Sequence, residues 1–155
     1  MAMDDISSLL KDFDITALIP DLQTVLGKLD LLLRFLVMAG PLTLLGLGLY
    51  YFLFPPKEAN YEAGYRFRYA MSKVKVWQFT QRLAGMVFSA LGLGLTVVMS
   101  LICSSFSGLA APDMVARAAT CILWEIGLLL AATLAVNITV MCLYDSKGNP
   151  RKKAE

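Results

Sequence analysis

The chain has 155 residues, 57% of them hydrophobic and only 17% charged, with a formal net charge of +2 and no histidine. A soluble domain carries about 25% charged residues, and here the apolar excess is gathered in long blocks, so the composition excludes an ordinary water-soluble globule and reads as a single membrane domain. Without histidine no Ser-His-Asp or Cys-His set can form, and the commonest metal ligand is missing.

Residues 1–30 read as an acidic amphipathic segment. Ile6, Leu9, Leu10 and Phe13 keep helical i, i+3, i+4, i+7 spacing, and Leu22, Val25, Leu26 and Leu29 repeat it after Pro20. Pro20 suits the first turn of the second helix and Asp21 its positive end. Asp4, Asp5, Asp12, Asp14, Asp21 and Asp30 outweigh Lys11 and Lys28, a poor match to anionic lipid. The segment is expected to rest on the outer bilayer surface or on the bundle, or to serve as a lid for an extracellular ligand. The acidic start, MAMDDISS, does not read as a secretory signal, and the first apolar run is expected to act as an uncleaved insertion signal.

Residues 31–54, LLLRFLVMAGPLTLLGLGLYYFLF, form the first predicted span. As a helix it is about 36 Å long, enough to cross a hydrocarbon core of about 30 Å with some tilt. Pro41 should bend it and free the Val37 carbonyl. Tyr50 and Tyr51 mark an interface, and Pro55-Pro56 ends the helix.

The 55–82 connection is basic and aromatic: Lys57, Arg66, Arg68, Lys73, Lys75 and Arg82 face only Glu58 and Glu62. The second span is predicted over 83–106, where Gly85, Ser89, Gly92 and Thr96 line one helical stripe suited to close helix approach. The third is predicted over 115–144, with a similar face of Gly127, Ala131 and Ala135. Together the stripes predict a tight all-α, three-transmembrane-helix bundle. The 107–114 connection holds only Asp113, with Arg117 just beyond, while residues 145–155 form a basic tail with Lys147, Arg151, Lys152 and Lys153. Basic loops stay in the cytoplasm, so the 55–82 connection and the C-terminus are placed inside and the N-terminus outside.

Cys103, Cys121 and Cys142 read as small buried packing residues, with a Cys103–Cys121 disulfide as the alternative. Among polar residues in the spans, Glu125 stands out, about 15 Å along its helix and near mid-bilayer. An ionised carboxylate there costs at least a few kcal/mol, so it must be protonated, paired or set in a wet cavity. Arg117 is about 12 Å away along the same helix; Arg34 is the better partner if the first and third spans touch. Asn137 is expected to hydrogen-bond between helices. Glu125 and Asn137 thus read either as interhelical glue or as a ligand- or proton-sensing site.

Gly64 permits a tight turn or a close backbone approach. Arg66 offers a forked donor to carbonyls, to a carboxylate such as Glu62 or to lipid phosphate. Trp77 fits the re-entry of the chain into the bilayer, and Arg82 can snorkel to the headgroups. The order of these residues carries more than their composition. Asn60, Gly64-Tyr65-Arg66, Ser72, Trp77, and Gln81-Arg82-Leu83-Ala84-Gly85 resemble the signature of the SdpI family of bacterial membrane proteins. In that family a first span is followed by an Asn…Gly-Tyr/Ile-Arg-Thr segment, then a Ser, a Trp and a polar residue leading into a glycine-containing helix. Here Phe67 replaces the threonine, Lys73-Val74-Lys75 replaces a less basic stretch, and Gln81 fills the polar position.

The resemblance implies three spans over about 31–144, and immunity or signalling towards secreted peptide toxins. Its matched positions are Asn60, Gly64, Tyr65, Arg66, Ser72, Trp77, Arg82 and Gly85. The expected role is a non-enzymatic immunity or sensor factor of the bacterial inner membrane. Its partners are the lipid bilayer and a secreted peptide toxin or a protein, with no nucleic acid, cofactor or metal. A structural or accessory subunit of a larger membrane complex is the alternative.

Overall fold

The computed structural model describes residues 22–57 and 64–151. Three long helices carry it: α1 (Leu22–Leu53), α2 (Val74–Ser104) and α3 (Ala111–Leu143), with a 3-10 turn at Ala70–Ser72 before α2. Helices of 32, 31 and 33 residues are about 46–50 Å long, against a hydrocarbon core of about 30 Å. All three are long and apolar enough to cross a membrane, and large side chains such as Phe35, Leu101, Leu123 and Leu130 point outward where lipid would stand. The chain is a multi-pass, all-α membrane protein. We call the end holding residues 54–57, 64–73 and 144–151 the cap end, and the end holding 105–110 the hairpin end.

All three helix starts come earlier than expected, α3 beginning at Ala111 rather than 115. Helix α1 runs without a break from Leu22, so Val25, Leu26 and Leu29 are its opening turns and not a separate helix, and Leu29 packs on the core. Ile6, Leu9, Leu10, Phe13 and Pro20 lie outside the described residues. Helix α2 begins at Val74 rather than 83. Its first turns are amphipathic: Val76, Trp77, Thr80 and Gln81 are fully buried while Lys75, Gln78 and Arg82 are exposed. Hydropathy alone misses a helical turn whose outer face is polar.

Helices α1 and α2 pack backbone to backbone. A Cβ on Gly85 would stand 2.5 Å from the Phe52 nitrogen, one on Gly92 2.5 Å from the Leu45 nitrogen, and one on Gly48 would strike the Ser89 backbone. No side chain larger than hydrogen fits at these crossings, which is the use small residues have in membranes. Helix α3 does not follow the same plan. Gly127 has nothing within 4 Å of where a Cβ would lie, and Ala131 and Ala135 are exposed. The face that α3 buries is Met114, Ala118, Cys121, Glu125, Val136 and Val140. The expected small-residue seam of α3 therefore looks outward, because larger side chains at helical spacing occupy the contact.

The core has two parts. At the hairpin end, Leu33, Val37, Met99 and Phe106 enclose Cys103, Met114, Ala118 and Cys121. Towards the cap end, Ala84, Phe88 and Val136 pack with Leu44 and Tyr65. All three cysteines are free thiols; Cys103 and Cys121 are buried as packing residues, but Cys142 is exposed. The 105–110 connection turns at Gly108 (φ +88°) and plugs the bundle with fully buried Phe106.

Candidate functional site

The cap is built around Tyr65. Its N–H donates to Gln81 Oε1 at 2.7 Å, and Gln81 Nε2 donates back to its carbonyl at 2.8 Å. A buried side-chain amide thus satisfies both backbone groups of one loop residue, as a neighbouring strand would. The Tyr65 hydroxyl donates to Asn137 Oδ1 on α3 at 2.7 Å, with the Thr133 carbonyl 3.2 Å away, and its ring meets Phe88 edge-on at 5.7 Å. Burial raises the pKa of the phenol, with the Asn137 bond pulling the other way, so the hydroxyl works as a neutral donor.

Gly64 makes this geometry possible. Its φ is +119°, and a Cβ would lie 2.7 Å from the Trp77 ring. The fully buried Trp77 donates from Nε1 to the Pro56 carbonyl at 3.0 Å, while Gln78 Nε2 reaches the Lys57 carbonyl at 3.1 Å, so α2 holds the end of the α1 exit. Ser72 Oγ donates to the Tyr69 carbonyl at 2.6 Å within the 3-10 turn. Arg66, Arg68 and Arg82 are exposed.

The expected basic tail begins as a folded turn. Asp145 accepts from the N–H groups of Lys147 (2.9 Å) and Asn149 (2.7 Å), and Asn149 Oδ1 accepts from Lys73 Nζ at 2.5 Å. Gly148 fits against Ser72, and Tyr144 against the Phe79 ring. The Asn149 backbone bond, aided by its side chain, the Lys147 N–H and the Lys73 charge, holds the Asp145 carboxyl below its ordinary pKa.

Beneath the cap, α1 and α3 diverge around a cavity of about 700 Å³. Its walls are mainly apolar, from Leu36, Leu44, Phe88 and Leu129, with Tyr65 and Arg66 contributing from the cap and Glu125 from α3. Leu36, Leu47, Ile126 and Leu129 are exposed, so its mouth opens sideways, where lipid tails would lie. Glu125 is 9% exposed, and a Cβ on Gly40 would stand 2.5 Å from its Oε2. Among the described residues, Glu125 Oε1 is the one buried side-chain oxygen or nitrogen that meets no hydrogen-bond partner.

The sequence-predicted residues therefore separate into three groups. Gly64, Tyr65, Ser72 and Trp77 come together in the cap, with Asn137 joined to it through Tyr65. Gly85 belongs to the α1–α2 crossing, and Arg82 to the exposed face of α2. Asn60 and Glu62 lie outside the described residues. Arg34 does not pair with Glu125. It donates to Asp30 one turn earlier (2.9 Å) and to Ser107 of the hairpin (2.8 Å), while Arg117 donates to Ser105 (2.9 Å). Both arginines fasten the hairpin end, where their long side chains reach loop hydroxyls. Asn137 serves the cap rather than a helix–helix bond.

The sequence left two roles unread. Gln81 was marked only as the residue filling the family's polar position, with no partner assigned. Gly40 gave no signal, because its role depends on where α3 presents Glu125.

The sequence model of the SdpI/YfhL protein family matches residues 57–145, more than half of the chain. The match takes in the cap, α2 and α3, and stops at the Asp145 turn. No curated protein and no solved structure matches.

Proposed function

The chain belongs to the SdpI/YfhL protein family, and on that premise we propose that it is an immunity or sensor factor against a secreted, membrane-active peptide. The observation that supports this reading is the side-opening apolar cavity between α1 and α3. A peptide already within a bilayer can enter such a mouth laterally, without crossing the loops at either end. The excess of lysine and arginine at the cap end, including Lys73, Lys75, Lys147 and Arg151, favours a cytoplasmic cap and C-terminus in a bacterial inner membrane. The cap joins the α1 exit, α2 and α3 through Trp77, Gln81 and Tyr65. A ligand that spread α1 from α3 would strain that junction, giving a non-enzymatic route from cavity to cytoplasm.

The test is protection. A sensitive bacterium expressing the chain is challenged with the secreted peptides encoded near its gene, and survival is counted. Protection by the intact chain, reduced by Leu129→Trp in the cavity, is the expected result; unchanged survival against all of them refutes the reading.

The outward Gly127, Ala131 and Ala135 seam of α3 favours a second reading, an accessory subunit with a partner helix on that face. A stoichiometric partner retained through purification in mild detergent, and lost on Gly127→Leu, is its expected signature.

A further inference from the structure

We propose that the α1–α3 cavity recognises an apolar chain ending in an ammonium group, with Glu125 as its acceptor. This names the part of the ligand that the cavity reads, and it rests on the reading of that cavity as a receptor. Three observations carry it. The volume, about 700 Å³ within largely apolar walls, suits a flexible hydrocarbon chain, since pockets of about 300–1,000 Å³ take small-molecule-sized ligands. The mouth lies between exposed apolar side chains of α1 and α3, so a chain can enter from the lipid side.

The third observation sets the chemistry. Glu125 lines the cavity and is nine-tenths buried, yet its Oε1 meets no hydrogen-bond donor among the described residues. Leaving such an oxygen unpaired costs about 1–3 kcal/mol, more when charged. Arg34 and Arg117, the partners that the sequence offered, are committed to the hairpin end. Gly40 lets the backbone of α1 lie close to the carboxyl group without covering it, whereas a Cβ there would stand 2.5 Å from Oε2. An arriving ammonium group supplies both the missing donor and the opposite charge. Arg66 also borders the cavity, from the cap, whereas Glu125 lines it from α3 against Gly40 of α1. A lysine side chain on an apolar peptide has this chemistry.

The probes are dodecylamine, protonated at pH 7, and dodecanol, of equal chain length without the charge. Each is titrated into the full-length protein in maltoside micelles, and the rise of the thermal midpoint gives an apparent affinity. Partition into the micelle cancels between variants, and between the two probes it is removed by referring each affinity to that probe's partition into protein-free micelles.

Dodecylamine is expected to bind saturably and about tenfold or more tighter than dodecanol, the lower end of the coupling found for close charge pairs. Glu125→Gln should abolish that preference while leaving dodecanol unchanged, and Leu129→Trp should weaken both probes. Equal binding of the two probes to the wild-type protein overturns the proposal. So does a preference that survives Glu125→Gln, or binding indifferent to Leu129→Trp. If Glu125→Gln fails to fold, the wild-type preference and Leu129→Trp still decide. Protection from a peptide with no amine preference would sink this inference alone; the preference without protection would sink the immunity reading alone.

Discussion

The α1–α2 and α1–α3 interfaces use glycine in opposite ways. At α1–α2, Gly48, Gly85 and Gly92 bring two backbones into direct contact, and the interface has no room to change. At α1–α3, Gly40 brings the backbone of α1 near a carboxyl group instead, and the helices line a cavity. The first arrangement fixes a crossing by dispersion and shape, the forces available where lipid is as apolar as the protein. The second leaves polar chemistry unfinished. Close packing and open space are thus divided between the two partners of one helix.

Breaking the rigid interface should have the largest effect. Gly92→Leu is expected to cost about 3 kcal/mol or more, because the Leu45 backbone cannot yield. Gly94→Leu, where nothing lies within 4 Å, should stay within about 0.5 kcal/mol. Equal midpoints for the two in a detergent melt would erase the distinction between the faces.

The cap comes next. Gln81→Leu strands the Tyr65 N–H and carbonyl and should cost about 2–3 kcal/mol, whereas Tyr65→Phe, which removes only the hydroxyl bond to Asn137, should cost about 1 kcal/mol. Chemical unfolding in mixed micelles orders them.

Sharpening the contrast calls for a substitution of the opposite sign. Glu125→Met exchanges an unpaired carboxyl group for an apolar chain of similar length, and it should leave stability unchanged or raise it by about 1 kcal/mol. A loss of several kcal/mol would make Glu125 a structural residue.

The smallest effect concerns the Asp145 turn. Its carboxyl pKa is lower in the fold, so its contribution is complete above the ordinary aspartate value of about 3.9 and is lost as pH falls through the depressed folded value. The amide signals of Lys147 and Asn149 should shift together below about pH 4, while those of Ala84 and Leu95 in α2 hold still.

The sequence made some of this legible and hid the rest for physical reasons. Three apolar blocks announce three spans, since each must satisfy its backbone within lipid, and the order of residues around Gly64, Trp77 and Gly85 announces the family. Hydropathy placed the start of α2 too late because Lys75, Gln78 and Arg82 face outward from a turn whose other side is fully buried. The stripe on α2 predicted a contact that exists. The Gly127, Ala131 and Ala135 stripe did not, because spacing fixes which residues share a face but not which way that face turns. The same missing rotation misassigned Arg34 to Glu125. Gln81 was hidden because its partner is a loop backbone 16 residues away, a contact that leaves no periodic trace.

Gly64 has a genetic consequence. Every single-nucleotide missense change from a glycine codon brings in a β-carbon, and at this site that carbon meets both a positive φ of +119° and the Trp77 ring. In a saturation scan the position should tolerate no alternative, even alanine, while the nearby exposed Arg68 accepts several. Such a site has no mutational path through a milder intermediate, so the lineage can leave it only by rebuilding the loop.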